Sequence, residues 1–292
     1  MKKNRFIYIV AGLLLTSAVA CKKNNIAVDK DVTPPEAARF AVSGSVYSYY
    51  IQDLAAGSFY KIPVGITNVS NVDRKIQFTY ASPTGAANGT QYKAPQTVTI
   101  PAGKALDSLV VQGLFAGYPT GRKDTLNIKI TGGDGFVAPN AYSTSIALIM
   151  QKYCNVVLAD LQGDYTNTRE TNSSGGSPYG PYDSDVTLTP IAGSSTTASV
   201  VFGNFWDSGI EAAGTIDWSD PANFKVIIPY QYSGLDYAAN QPLYIRTSLT
   251  QASTFSSCDQ SFSITADFII QNYNNTGNSA YYAQNYKIYI KR

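Results

Sequence analysis

Histidine is missing from the 292-residue chain, and cysteine, glutamate and tryptophan are scarce. Without histidine there is no Ser-His-Asp or Cys-His arrangement, and the commonest general base is absent. Cys154 and Cys258, with no imidazole to join them, fall short of a closed tetrahedral zinc site. No G-x-S-x-G turn occurs, and neither does a phosphate-cradling glycine loop with a lysine or a metal-ligand spacing. The sequence predicts a non-enzyme with no metal and no cofactor. Charge is sparse too: Asp, Glu, Lys and Arg make up 14%, against about 25% in typical soluble proteins. A net charge of +2 gives no basis for binding nucleic acid.

Carboxylates remain as the one acid–base chemistry available, the kind that glycoside hydrolysis uses in pairs. Glutamate occurs only at Glu36, Glu170 and Glu211. Asp207, Glu211, Asp217 and Asp220 gather around Trp206 and Trp218, at expected strand ends and turns. Asp habitually satisfies turn backbone groups. That reading is preferred to catalysis.

What is present begins with the first residues. Lys2, Lys3 and Arg5 precede an apolar run over residues 6–15, and small residues then lead to Cys21. About ten apolar residues are too short to cross a ~30 Å hydrocarbon core, so the segment reads as an export signal. Cys21 directly after Ala18-Val19-Ala20 resembles the lipobox of bacterial lipoproteins, in which that cysteine becomes the lipidated N-terminus. The lipobox usually has Leu where Ala18 stands, and Ala18-x-Ala20 also suits ordinary signal peptidase. An odd number of cysteines would leave a free thiol in an oxidising compartment. With lipid on Cys21, Cys154 and Cys258 remain as a pair available for one disulfide; two buried, unpaired thiols are the alternative. The resemblance implies attachment to the outer membrane. Lys22-Lys23-Asn24-Asn25, which follow, contain no acidic surface-export signal, so the membrane face stays open.

Beyond the signal, no segment shows a 3.6-residue apolar period. Tyr, Thr, Val and Ile recur in short alternating stretches, as in half-buried strands. The expected class is all-β, with residues 1–20 as signal, 21–40 as a tether, and domains over 41–151 and 152–292. The tether is polar and stiffened by Pro34-Pro35. In the first domain, strands are expected at 41–51, 59–67, 75–81, 96–100, 107–112, 125–131 and 143–149, which suits an immunoglobulin-like sandwich. In the second, strands at 164–171, 185–189, 198–205, 212–217, 225–229, 242–249, 261–271 and 281–291 suit an antiparallel meander. That meander closes as a small barrel or folds as a sandwich.

Gly89-Thr90-Gln91-Tyr92-Lys93-Ala94-Pro95, Val98-Thr99-Ile100-Pro101-Ala102-Gly103 and Asp124-Thr125-Leu126-Asn127-Ile128 resemble Calx-beta-type repeats and the related N-terminal domains of Bacteroidota surface lipoproteins. Calcium-binding members cluster acids in their end loops, whereas Asp53, Asp73, Asp107, Asp124 and Asp134 are scattered here. Gly163-Asp164-Tyr165 resembles the lipocalin G-x-W motif, with Tyr165 in place of Trp. The combined resemblance implies an envelope lipoprotein that accompanies nutrient-uptake machinery and binds glycans.

Tyr-rich polar loops agree with that implication. Residues 177–183, 230–237 and 272–286 interleave Tyr with Asn, Gln, Ser, Gly and Asp. Tyr offers a large rigid face with a polar handle at low entropic cost, and such faces pack on sugar C–H surfaces. Tyr179, Tyr182, Trp218, Tyr232 and Tyr237 are the candidate ligand-binding residues. Trp206 follows the apolar run 200–205 and reads as core. Three functions follow: an accessory glycan-binding lipoprotein, a structural or adhesin-like module contacting an outer-membrane protein, or a lipocalin-type binder of a small apolar ligand. The last requires an open apolar barrel interior.

Overall fold

The computed structural model describes residues 36–119, 121–134 and 143–292. The signal segment, Cys21 and most of the tether lie outside them. Nine strands build the first domain: β1 (Ala38–Phe40), β2 (Val46–Ile51), β3 (Ser58–Ile66), β4 (Arg74–Ala81), β5 (Tyr92–Lys93), β6 (Thr97–Ile100), β7 (Leu106–Gly113), β8 (Lys123–Gly133) and β9 (Ser145–Lys152). They form two facing sheets, ordered β1-β3-β7-β5 and β2-β9-β8-β4-β6. Alternation explains the packing. In β8, Leu126, Ile128 and Ile130 are buried between exposed Asn127 and Lys129, and they meet Ile62, Val64 and Leu109 in one core.

The sandwich begins earlier than residue 41. Ala38–Phe40, read from sequence as tether, pairs antiparallel with β3, Ala38 opposite Ile66. Three residues are too few to display a period, and their partner lies later in the chain. β2 then crosses to the other sheet and runs parallel to β9. Ile51 accepts a hydrogen bond from the Tyr153 amide at 2.9 Å, beside the second domain. Ala38 therefore enters at the end of the sandwich away from that domain.

A short helical turn, α1 (Leu158–Leu161), leads into β10 (Gly163–Thr171), β11 (Tyr179–Pro190), β12 (Thr197–Phe205), β13 (Ile210–Asp217), β14 (Lys225–Ile227), β15 (Gln231–Ala238), β16 (Gln241–Thr247), β17 (Thr254–Ser256), β18 (Ser261–Ile270) and β19 (Ala280–Lys291). β14 and β15 act as one strand interrupted at Pro229, which has no N–H to donate. β16 and β17 likewise share one edge of β18. β19 pairs with β18 on one side and with β10 on the other. The meander is thus an eight-strand antiparallel barrel, closed rather than folded as a sandwich.

Its interior is packed. Phe262 meets Phe202 at 5.2 Å and Tyr165 at 5.8 Å between ring centroids, and Phe205 meets Phe268 at 6.4 Å. All five side chains are fully buried, as expected where eight strands leave just enough room for side chains. A lipocalin-type site for a small apolar ligand needs that space open, so this reading is corrected. At the end nearest the sandwich, the Tyr165 hydroxyl donates to the Leu161 carbonyl at 2.6 Å. The Arg292 guanidinium lies 5.1 Å over the Tyr165 ring. Burial pushes the Tyr165 hydroxyl pKa up to about 12. A disulfide joins Cys154 to Cys258, 104 residues apart, and fastens the start of this domain to the β17–β18 turn.

Tyr165→Ala should lower unfolding free energy by about 3–5 kcal/mol through loss of burial and cavity formation. Tyr165→Phe should cost only ~1 kcal/mol, for the hydroxyl bond. Urea unfolding of both variants checks this, and equal losses would refute the packing role of the ring.

Candidate binding rim

Successive hairpin turns of a meander alternate between its two ends. The turns after β10, β12, β15 and β18 share the end away from the sandwich, here the rim. Each of these turns is shaped by asparagine, which tolerates left-handed backbone better than most residues. Asn172 Oδ1 accepts from the Ser174 and Gly176 amides at 3.1 and 2.8 Å. Asn204 (φ 46°) donates to the Asp183 carbonyl at 2.6 Å, and its Oδ1 accepts from the Gly209 amide at 2.9 Å. Asn272 (φ 51°) donates to the Asn240 carbonyl at 3.0 Å, tying two neighbouring turns together.

Two sets of rings stand on these turns and on the strand ends beside them, and residues 179–183 and 231–237, expected as polar loops, belong to β11 and β15. Trp206 sits at φ 63°, a conformation that costs a non-glycine residue about 1–3 kcal/mol. Its ring packs on Phe268 at 4.5 Å and meets Tyr282 edge-on at 5.5 Å. Tyr282 lies 6.0 Å from Tyr237, and Tyr237 lies 6.2 Å from Tyr273. On the other side, Tyr179 lies 6.0 Å from Tyr182 and donates to Asp207 Oδ2 at 2.5 Å. That bond to a carboxylate raises the Tyr179 pKa. Tyr179, Tyr237 and Tyr282 are 53%, 50% and 49% exposed, so their faces are open to solvent.

Beneath the rings, Glu170 is buried, with 1% exposure. Tyr182 and Tyr286 each donate to one of its carboxylate oxygens, Tyr286 at 2.9 Å. Burial raises the Glu170 pKa above 4.5, while the two phenol bonds act against that rise. Burial and the same carboxylate push Tyr286 up to about 12. Both Glu170 oxygens are occupied by protein donors, so its role here is to hold two tyrosines.

Three of the five sequence candidates, Tyr179, Tyr182 and Tyr237, are on this rim, with Tyr182 buried as support. Tyr232 is elsewhere, on the barrel wall: Tyr244 lies 5.7 Å from it and stacks on Tyr230 at 4.8 Å. Trp218 is at the opposite end, half-buried against the core, with its amide bonded to the Thr196 carbonyl at 2.9 Å. Asp217 and Asp220 accept from the backbone amides of Ser219 and Ala222 at 2.8 and 2.9 Å, ordinary turn bonds. Asp207 and Asp217 therefore sit at opposite ends of the barrel. Among the described residues, no group of three or more His, Cys, Asp or Glu is placed to hold a metal ion.

Compared with known proteins, the chain matches no family profile and no curated protein. Among solved structures it is similar to a proposed carbohydrate-binding protein from Bacteroides ovatus, at 7% identity and a TM-score of 0.35 over 88% of this chain and 75% of that one. It is also similar to an auxiliary nutrient-binding protein from Bacteroides thetaiotaomicron, at 13% identity and a TM-score of 0.32 over 85% and 89%. The Calx CBD1 domain aligns over 98% of its length with 41% of this chain, at 10% identity and a TM-score of 0.32. Likeness at this level carries no weight for the site, which rests on its own geometry.

Sequence reasoning missed Trp206, read as core and half-buried against it, and Asp207 as rim residues, and it missed Glu170; Tyr282 and Tyr286 fell within the Tyr-rich stretch 272–286 but were not singled out. Counting turns would have found the first two, because odd and even hairpins of a meander point to opposite ends. Nothing local marks Glu170, whose partners come from β11 and β19.

A carboxyl whose folded pKa is raised contributes stability that is full below its unfolded value and is lost as pH rises through the folded value. Stability conferred by Glu170 should therefore decline from pH 4.5 upward. Glu170→Gln should remain flat over the same range, so the difference between the two curves should widen with pH. Urea midpoints against pH check this, and parallel curves would refute it.

Proposed function

We propose that this protein is a non-enzymatic, lipid-anchored accessory of the outer membrane that binds glycan on the barrel rim. The observation that carries the reading is the set of exposed rings Tyr179, Tyr237 and Tyr282 around the half-buried Trp206, at strand ends beside turns held by asparagine. Flat ring faces suit the apolar side of a sugar, and Asp207 with the turn amides suits its hydroxyls. Because the turns are fixed beforehand, little ordering cost falls on binding. Strand direction supports presentation as well: the chain enters at one end of the sandwich, and the rim occupies the far end of the barrel.

A second reading, a module that contacts another envelope protein, draws on the wall patch. Tyr230 and Tyr244 stack there with a 10° angle between their planes, and Tyr230 and Tyr232 are exposed. Aromatic surface of this kind also serves protein partners.

Affinity gels and isothermal titration over a panel of neutral and acidic polysaccharides should find at least one binder. Trp206→Ala and Tyr237→Ala should each weaken it about tenfold, ~1.4 kcal/mol. Binding to no polysaccharide, together with co-purification of an envelope protein lost on Tyr244→Ala, would replace this reading with the second.

Anchoring is tested separately. Cys21→Ser should move the protein from the membrane fraction to the soluble fraction and abolish incorporation of radiolabelled palmitate. Unchanged membrane retention without label would refute lipidation.

A further inference from the structure

Where the sandwich meets the barrel lies a half-open cleft of about 420 Å³, within the ~300–1,000 Å³ typical of small-molecule sites. It shares no residue with the rim. Two covalent and polar ties brace it: the Cys154–Cys258 disulfide lies in its wall, and Gln151 Nε2 donates across the seam to the Pro221 carbonyl at 3.1 Å. Tyr153 and Phe224 meet edge to face at 6.1 Å and provide an aromatic surface.

The barrel side of the cleft is a patch of hydroxyls. Thr254 pairs with Ser263 and Ser256 with Ser261 across the β17–β18 ladder, so four hydroxyl side chains stand together on the outer face. The hydroxyls of Thr254, Ser261 and Ser263 bond to no other described residue. The sandwich side is basic. Arg122, Lys123 and Lys152 line the cleft, and no carboxylate among the described residues does. Arg122 is committed to Asp124 at 2.8 Å, so its planar fork is already occupied. Lys152 Nζ rests 4.3 Å from the Phe115 ring, and Lys123 is exposed. That contact holds the Lys152 ammonium on the core side of the sheet, while Lys123, paired with Gln151 on the outer face, is the charge left to the cleft.

An apolar ligand would strip water from lysines and hydroxyls without replacing those bonds, which is costly. A bare inorganic anion would leave the hydroxyl patch and the aromatic surface unused. A ligand with one carboxylate, several hydroxyls and an apolar ring face uses all three. We propose that this cleft is a second binding site and that it takes an acidic saccharide. Its uronate carboxylate meets Lys123, its hydroxyls meet Thr254, Ser261 and Ser263, and its ring packs against Phe224. Lys123 acts here as a point charge rather than as a bidentate clamp, so binding is salt-dependent.

Isothermal titration of the full-length chain in detergent with trigalacturonic acid tests this, with neutral galactotriose as the comparison. The acid should bind about tenfold or more tighter than the neutral sugar, and added salt should weaken it. Lys123→Gln should remove the preference for the acid while leaving the melting temperature unchanged. Trp206→Ala, on the rim, should leave it intact. Three results would overturn the proposal: no binding of the acid, a preference for the acid that survives loss of Lys123, or binding lost in the rim variant alone. Because the rim variant and the lysine variant act at separate places, failure here leaves the rim reading standing, and the reverse.

Discussion

Everything in the second domain depends on β19 bonding to two neighbours at once. It completes the ladder with β18 along most of its length and reaches β10 through Arg169, Glu170 and Thr171, opposite Tyr289, Ile288 and Lys287. That closure removes the free edges an open meander would expose. It also fixes the width of the barrel, and at this width side chains fill the space. A closed, filled barrel leaves only its ends and outer wall for ligands, so function is displaced to turns. Strand parity then sorts the turns into two sets with different neighbours.

The two ends are built differently. The seam end is closed by Tyr165 with Arg292 over it, tied to the sandwich through the disulfide and the Gln151–Pro221 bond. The rim end has no such cover, and its turns are held by Asn172, Asn204 and Asn272 instead. Short side chains that accept backbone amides achieve there what domain contact achieves at the seam. The result is a rigid platform whose larger rings remain exposed. β1 begins at the opposite end of the sandwich, so the first described strand and the rim stand at opposite ends of the described fold.

Much of the fold was legible because period-two burial is a local property. Seven of the sandwich strands and eight of the ten barrel segments leave a trace of it, whereas β15, expected as a Tyr-rich loop over 230–237, and the three-residue β17 leave none. β1 and β5 leave none either, since three- and two-residue strands owe their existence to β3 and β7, which lie elsewhere in sequence. Closure was not legible either: the β10–β19 register joins residues more than a hundred positions apart. The site was legible in composition and poorly in position. Tyr179, Tyr182 and Tyr237 stood out as Tyr in polar loops and do share the rim. Trp218 and Tyr232 share that composition but sit at the other end and on the wall, which only topology decides. Trp206 was masked by the apolar run before it. Its left-handed backbone turns the ring back over Phe268 and out of the strand pattern.

Glu170 sharpens the case for the rim as the working end. Toward the rim the barrel core adds Glu170, Tyr182 and Tyr286 to its aromatic and aliphatic side chains, and the Thr168 hydroxyl, opposite Tyr182, lacks a hydrogen-bond partner within the described residues. Replacing buried ionic groups by apolar side chains of similar volume is often neutral or stabilising, so burying this carboxyl does little for the fold as a fold. Its raised pKa shows that two phenol bonds do not fully offset desolvation. What the carboxyl achieves is orientation: it fixes Tyr182, on which Tyr179 packs, and Tyr286, beside which the Trp206 indole lies. A strained Trp206 backbone above a destabilising carboxyl makes two local costs, both at the same end of the barrel. Costs that serve no packing purpose gather where geometry matters for something other than stability, and in this domain that place is the rim.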